Sequence, residues 1–347
     1  MSEVLFEELM EESVKFIEKD FYDKKFYFSY SSLNKLLYSP AVFYQLYVMG
    51  MKEERLDTHL VQGKIIHALL LEEEKFKDQF VVSPANLPTG TLRTVIDKVH
   101  AQFQNNRASY DALGVEKLSD LQDEILDVMK EINYHQSLKT DQQRLDKVLS
   151  TETENCFQFL KSKGSKVLID QETFEFCKNA VDLIKTNKQI CQLIGTNSTE
   201  FDNLEVINEC FFQSDLANRS FGLKGIIDNI VIDHDNKIIY VNDIKTTSKD
   251  LKDFAESVEY YSYWMQAAVY SILVALQYGD LLKNGYNYKF HFVVIDRFFQ
   301  TYAYPVKETT LNSWMERFKE TLDIADWHYT NRSFELPYQF AKGLAAL

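Results

Sequence analysis

The stretch from Phe221 to Lys245 constrains this chain most. Phe221–Asp233 is rich in β-branched residues, Asp233-His-Asp-Asn236 has turn composition, and Lys237–Lys245 alternates in hydropathy. The segment therefore reads as strand, tight turn and strand. On the first strand, Lys224, Ile226, Asp228, Ile230 and Ile232 are expected to share one face. On the second, Ile239, Val241, Asp243 and Lys245 do so. Asp228 stands among Ile226, Ile227, Ile230, Val231 and Ile232, where a strand is expected to be buried and a carboxylate needs a partner or a metal. Pairing as a hairpin brings Asp228 near Asp243, and Asp243 and Lys245, two residues apart, project the same way.

Two carboxylates and a lysine at strand ends are groups able to hold a hard divalent cation and hydrolyse a phosphodiester. Mg²⁺ takes oxygen ligands, commonly one or two carboxylates completed by water and phosphate, which Asp228 and Asp243 can supply. Such an ion polarises a scissile phosphate and lowers the pKa of a water, while Lys245 orients that water and offsets charge on the phosphate. Glu209, in the strand-like Val206-Ile-Asn-Glu-Cys-Phe-Phe212, is a third acid able to flank the site. Downstream, Phe254 to Tyr278 has a helical period, and Gln266 and Tyr270 lie on one face of it. From spacing alone these two fit a packed helix interior. A lone D-x-K is equally weak by itself.

The order of pieces is more specific than any one of them. Gly63-Lys-Ile-Ile-His67, Glu209, Gly225-Ile-Ile-Asp228, Asp243-Ile-Lys245 and Gln266-Ala-Ala-Val-Tyr270 occur in that sequence. The chain thereby resembles the PD-(D/E)xK nucleases, and within them the RecB-like and phage RecE-type (exonuclease VIII-like) branch. Ser29-Tyr-Ser-Ser-Leu-Asn-Lys-Leu-Leu-Tyr-Ser-Pro40 and Gly63–Val82 also look like that branch. Residues between about 94 and 164 match nothing in it.

The resemblance implies a restriction-endonuclease-like core. It makes Asp228, Asp243, the backbone carbonyl of Ile244, His67 and Glu209 metal ligands, Lys245 the catalytic lysine, and Gln266 and Tyr270 supports for site and DNA. It implies Mg²⁺, with Mn²⁺ able to substitute, and cleavage from duplex DNA ends, 5′-to-3′, in phage or bacterial recombination or repair. A homo-oligomer, a single-strand annealing recombinase as partner and a cytoplasmic location in a bacterial or phage-infected cell belong to the same expectation. Two alternatives stay open: a structure-specific or single-strand endonuclease of the superfamily, and a protein that binds nucleic acid without cutting. Asp243 stands where many relatives carry Glu. Relatives with an iron–sulfur cluster carry an early cysteine where this chain has Ser39. Cys156, Cys177, Cys191 and Cys210 fit neither that cluster nor a zinc site.

A net charge of −14 argues against a broad DNA-coating surface. Residues 1–23 carry eight acids against two lysines, which localises part of that charge. Arg55, Lys64, Lys224, Lys245, Lys249 and Lys252 leave positive charge for a narrow lining, with Lys64, Lys224 and Lys249 as candidate DNA contacts. No apolar run reaches the ~18 residues of a membrane span.

The fold expectation is α/β: a mixed central sheet flanked by helices. Residues 1–27 are expected to hold an acidic amphipathic helix, and 28–347 a single domain with a helical insertion at about 94–200. Ser31–Met49 reads as a helix bent at Ser39-Pro40, Lys64–Phe76 as a short helix, and Ser83–Gly90 as a loop. Strands are expected at Glu205–Lys245, Tyr288–Asp296 and Thr301–Val306, and a last helix at Thr310–Asp326.

Overall fold

A computed structural model describes residues 17–51, 58–84, 86–164, 166–196 and 203–345. Most of the expected acidic N-terminal helix, together with Arg55, lies outside them; residues 17–23 are helical. The chain divides into two compact units, one formed by residues up to Gly63 and from Asp182 onward, the other by Lys64–Val181. The second unit thus starts earlier and ends sooner than the expected insertion at 94–200.

The first unit is built on a six-stranded mixed sheet: β1 (Tyr27–Phe28), β2 (Leu204–Asp215), β3 (Gly222–Asp233), β4 (Ile238–Thr247), β5 (Asn287–Asp296) and β6 (Thr301–Pro305). β3 pairs antiparallel with β2 along its whole length, and parallel with β1 at Gly222 and Leu223. β3 and β4 form an antiparallel pair from Asp233↔Ile238 to Asn229↔Asn242, where pairing stops. β4 then continues parallel to β5, which pairs antiparallel with β6.

The main helices of this unit are α1 (Tyr30–Tyr38), α2 (Thr58–Leu71), α3 (Lys188–Ile194), α4 (Phe254–Tyr260), α5 (Tyr263–Gln277) and α6 (Glu308–Asn331), with α2 running on into the second unit. Ser29 caps α1 through the Ser32 amide, and Ser39, in extended backbone, ends it. Pro40 opens the next turn at the first helical position, where its missing N–H costs nothing. The single helix expected over Phe254–Tyr278 is two helices. Ser262 takes a left-handed φ of 58° between them, which no helix interior accommodates.

α5 is apolar nearly all round, with Trp264–Tyr270 buried, and lies against the sheet with Ile227, Ile230, Val241, Phe290 and Phe292 in one core. Gly225 makes this approach possible. A Cβ there would sit 3.0 Å from a Tyr270 ring carbon and 3.3 Å from Leu273 Cδ1. Among the described residues no helix is long and apolar enough to cross a membrane.

The second unit is helical with one exception. Phe80–Val82 and Val167–Ile169 form a parallel two-stranded sheet, the second strand inside the region expected to be helical from about 94 on. Helices Gly90–Asn105, Gln122–Glu131 and Thr151–Lys163 bury Val95, Val99, Phe103, Ile125, Met129 and Phe157 against one another.

Candidate active site

The site lies where β3 and β4 part. Continuing the register beyond Asn229↔Asn242 would place Asp228 opposite Asp243, but the strands diverge there and the Asp228 carboxylate enters the gap. Its Oδ2 accepts the backbone N–H of Ile244 at 2.7 Å. The two aspartates are therefore neighbours across the opening, and both are buried, at 7% and 0% exposure.

Glu209 occupies the matching place on β2, between Asn208↔Asn229 and Cys210↔Ile227. Its backbone is left-handed, with φ 46°. A β-strand glutamate does not adopt this conformation unless its surroundings hold it there, and such strain concentrates at functional sites. The ligand oxygens of Glu209 and Asp228 come within 4.8 Å of one another.

The same irregularity changes which face β3 presents. Before Asp228, Leu223, Gly225 and Ile227 face α5; after it, Ile230 and Ile232 join that core, while Val231 meets Gly195 at the end of α3. The expected single face of Lys224, Ile226, Asp228, Ile230 and Ile232 is thus interrupted: Ile226 is 51% exposed whereas Ile230 is fully buried. A sequence period of two cannot anticipate the shift, which falls opposite the left-handed Glu209 of the neighbouring strand β2.

On β4 the alternation runs unbroken. Ile239 and Val241 enter the core, and Asp243 and Lys245 follow on the same side, their Oδ2 and Nζ 2.5 Å apart. The Tyr263 ring lies 4.9 Å from the Lys245 ammonium and is stacked on Phe254. Burial alone would lower the Lys245 pKa, but the carboxylates of Asp243 and Asp228 outweigh it and raise it, so Lys245 is a firm cation.

Gln266 and Tyr270 are both buried on α5, and Gln266 Nε2 donates to the Tyr270 hydroxyl at 2.8 Å. Gln266 Oε1 has no hydrogen-bond partner among the described residues. Burial, then the negative charges of Asp228, Asp243 and Glu209, drive the Tyr270 phenol far above its ordinary pKa, keeping it a neutral donor. Tyr30, from the capped start of α1, donates to the Tyr261 carbonyl and so ties α1 to the break before α5.

Just behind the site runs a ladder that sequence reading missed. Asn229 Nδ2 donates to Asn208 Oδ1 at 2.7 Å and to the Ile194 carbonyl at 3.0 Å. Asn242 Nδ2 donates to Asn229 Oδ1 at 2.7 Å and to the Leu193 carbonyl at 3.0 Å. Three strands are clamped at the last position where β3 pairs with β4, and the end of α3 gains partners for carbonyls its own helix leaves open. The only hint in the sequence was an asparagine inside each of three apolar strands.

His67 is half-buried on α2 within the second unit, one turn after Gly63. A Cβ on Gly63 would lie 3.4 Å from Thr246 Oγ1, an ordinary contact, so sterics do not demand glycine there. Lys249 is exposed and ion-paired with Glu256 at 2.9 Å. Lys224 lies over the Phe26 ring at 5.9 Å, and Lys64 is exposed on α2. Cys156, Cys177 and Cys191 are buried, and Cys210 is half-buried in β2.

Comparison with known proteins gives one family. The family model of the PD-(D/E)XK nuclease superfamily matches residues 27–332. No curated protein matches the chain. Among solved structures, an Eubacterium rectale protein described as a "Putative exonuclease" is similar at 10% identity and a TM-score of 0.45, over 92% of this chain and 89% of that one.

Proposed function

Since the chain belongs to the PD-(D/E)XK nuclease superfamily, we propose that it is a divalent-metal-dependent deoxyribonuclease acting from the ends of duplex DNA. The observation carrying this reading is the parting of β3 and β4. It sets Asp228 against the Ile244 amide, Glu209 beside Asp228, and the Asp243–Lys245 pair across the gap.

The donor set suits a hard cation. Every candidate ligand in this unit is an oxygen: the carboxylates of Asp228, Asp243 and Glu209 and the carbonyl of Ile244, the set Mg²⁺ or Mn²⁺ prefers over softer metals. When bound, such an ion supplies charge neutralisation at the phosphate and a lowered pKa for the attacking water.

The chain's own groups do the rest. Lys245, held cationic by two carboxylates, donates to the attacking water and stabilises negative charge developing on the phosphate. Tyr263 and Asp243 confine its ammonium from two sides. Gln266 keeps one carbonyl oxygen for a water or substrate hydroxyl, and Tyr270 fixes that amide. The Asn ladder holds β3 and β4 in register up to the residue before the carboxylates, so the gap opens at a fixed place.

We further propose 5′-to-3′ polarity, a role in phage or bacterial recombination or repair, and assembly into a homo-oligomer working with a single-strand annealing recombinase, on the strength of the RecE-like motif order. The test is to offer linear, circular, 5′-labelled and 3′-labelled duplexes to the purified protein with Mg²⁺. Release of 5′ label first from linear DNA, with circular DNA spared, is expected. Cleavage of circular duplex as fast as linear contradicts the exonuclease reading.

A further inference from the structure

The turn joining β5 to β6 is closed by its own hydrogen bonds and is charged and apolar at once. Asp296, 4% exposed, closes it: its Oδ1 accepts the amides of Phe298 and Gln300, both at 2.9 Å. Phe299 takes a left-handed φ of 62°, and the Asp296 amide donates back to the Gln300 carbonyl at 3.0 Å. This closed turn holds Phe298 out into solvent at 60% exposure. The Arg297 guanidinium lies 4.7 Å from the Phe298 ring and 3.6 Å from Asp250 on the loop after β4.

An exposed phenylalanine ring with an arginine beside it offers a flat face on which another π-system can stack. Its place says which partner. Asp296 pairs with Thr247, two residues beyond Lys245 on the adjacent parallel strand. Strand rise and spacing put the Cα atoms of Lys245 and Asp296 roughly 8 Å apart. That is about two to three stacked nucleotides at roughly 3.4 Å each. The turn also stands at the carboxyl ends of the parallel pair β4 and β5, the edge where open α/β sheets hold ligands. On a chain with net charge −14, a local cation set on an aromatic face favours a polyanion bearing π-faces over a second acidic surface.

We infer that the Arg297–Phe298 turn is a DNA-binding platform, on which Phe298 stacks a nucleobase a few nucleotides from the scissile phosphate while Arg297 meets the backbone. This rests on the nuclease reading for the identity of the ligand, so the test reads binding and cleavage separately.

Binding is measured on the full chain carrying Asp228→Asn, using duplex DNA with 2-aminopurine in a single-stranded overhang. With Phe298 in place, binding is expected to change the 2-aminopurine fluorescence. Phe298→Ala removes that change and weakens affinity about 10-fold, within the range of base–aromatic stacking, while Phe298→Trp restores both. Arg297→Ala lowers affinity and flattens its salt dependence. In the Asp228-containing protein, Phe298→Ala leaves hydrolysis of bis(p-nitrophenyl) phosphate, which offers no base to stack, within about twofold of wild type by the same stacking argument.

An unchanged fluorescence response in Phe298→Ala overturns the platform. So does an equal loss of diester hydrolysis and DNA cleavage, which marks a structural turn, or a changed oligomeric mass with DNA affinity intact, which marks a protein contact. A wild-type protein that cuts nothing yet shows the Phe298-dependent signal sinks the nuclease reading and leaves the platform standing.

Discussion

Removing Lys245 should unfold the protein more readily as well as silence it, and the two effects can be separated. Its ammonium lies 2.5 Å from a carboxylate that is 0% exposed, and its own side chain is only 14% exposed. Deleting one member of a buried ion pair strands the other charge and costs about 3–5 kcal/mol, whereas replacing both with neutral groups of similar size is neutral or stabilising by about 1–4 kcal/mol. Lys245→Ala is therefore expected to lose about 4 kcal/mol of unfolding free energy in urea, measured in EDTA so that no divalent cation competes for Asp243. Asp243→Asn combined with Lys245→Met should recover most of that loss. Neither protein should cut DNA in Mg²⁺. If Lys245→Ala matches wild type within about 1 kcal/mol, the pair is not buried as described. If the double substitution cleaves, Asp243 and Lys245 do not carry the chemistry.

Three further outcomes follow from the geometry. Asn229→Ala removes the three hydrogen bonds of a fully buried side chain and should cost about 3 kcal/mol by urea denaturation; a loss below about 1 kcal/mol would mean the ladder does not clamp the strands. Burial, helped by Lys289, lowers the His291 pKa from 6.5 to about 4, so the unfolded chain binds a proton that the folded one refuses. That contribution is present above pH 6.5 and is lost as pH falls towards 4, by up to about 3 kcal/mol; His291→Gln should flatten stability across this window, and an unchanged slope would refute it. His67→Ala should slow cleavage less than loss of Asp228 does, and full activity would return His67 to helix packing.

Much of this was legible in the sequence because the relevant signals are local. The turn at 233–236, the apolar strands on either side and the lysine two residues after Asp243 each depend on near neighbours, and β3, β4 and β5 begin and end close to where composition places them. Membership of the nuclease superfamily followed from motif order rather than from any single residue. What was not legible depends on strain or on distant partners. The left-handed backbone at Glu209 and Ser262 violates ordinary propensity and is held by packing. The shift of face along β3 and the break before α5 both follow from such residues. The Asn ladder joins residues from three strands and a helix end, and no periodicity reports that they meet. The small parallel sheet of Phe80–Val82 and Val167–Ile169 was missed for the same reason, since three-residue strands carry almost no pattern of their own.

The most direct test is Asp228→Asn. The asparagine oxygen can still accept the Ile244 amide, so fold and melting temperature should stay near wild type while the charge is lost. Incubated with end-labelled linear duplex, the wild type should degrade it with Mg²⁺ and stop in EDTA, and the folded Asp228→Asn protein should bind the DNA and leave it intact. Degradation by Asp228→Asn at the wild-type rate would contradict the account at its centre.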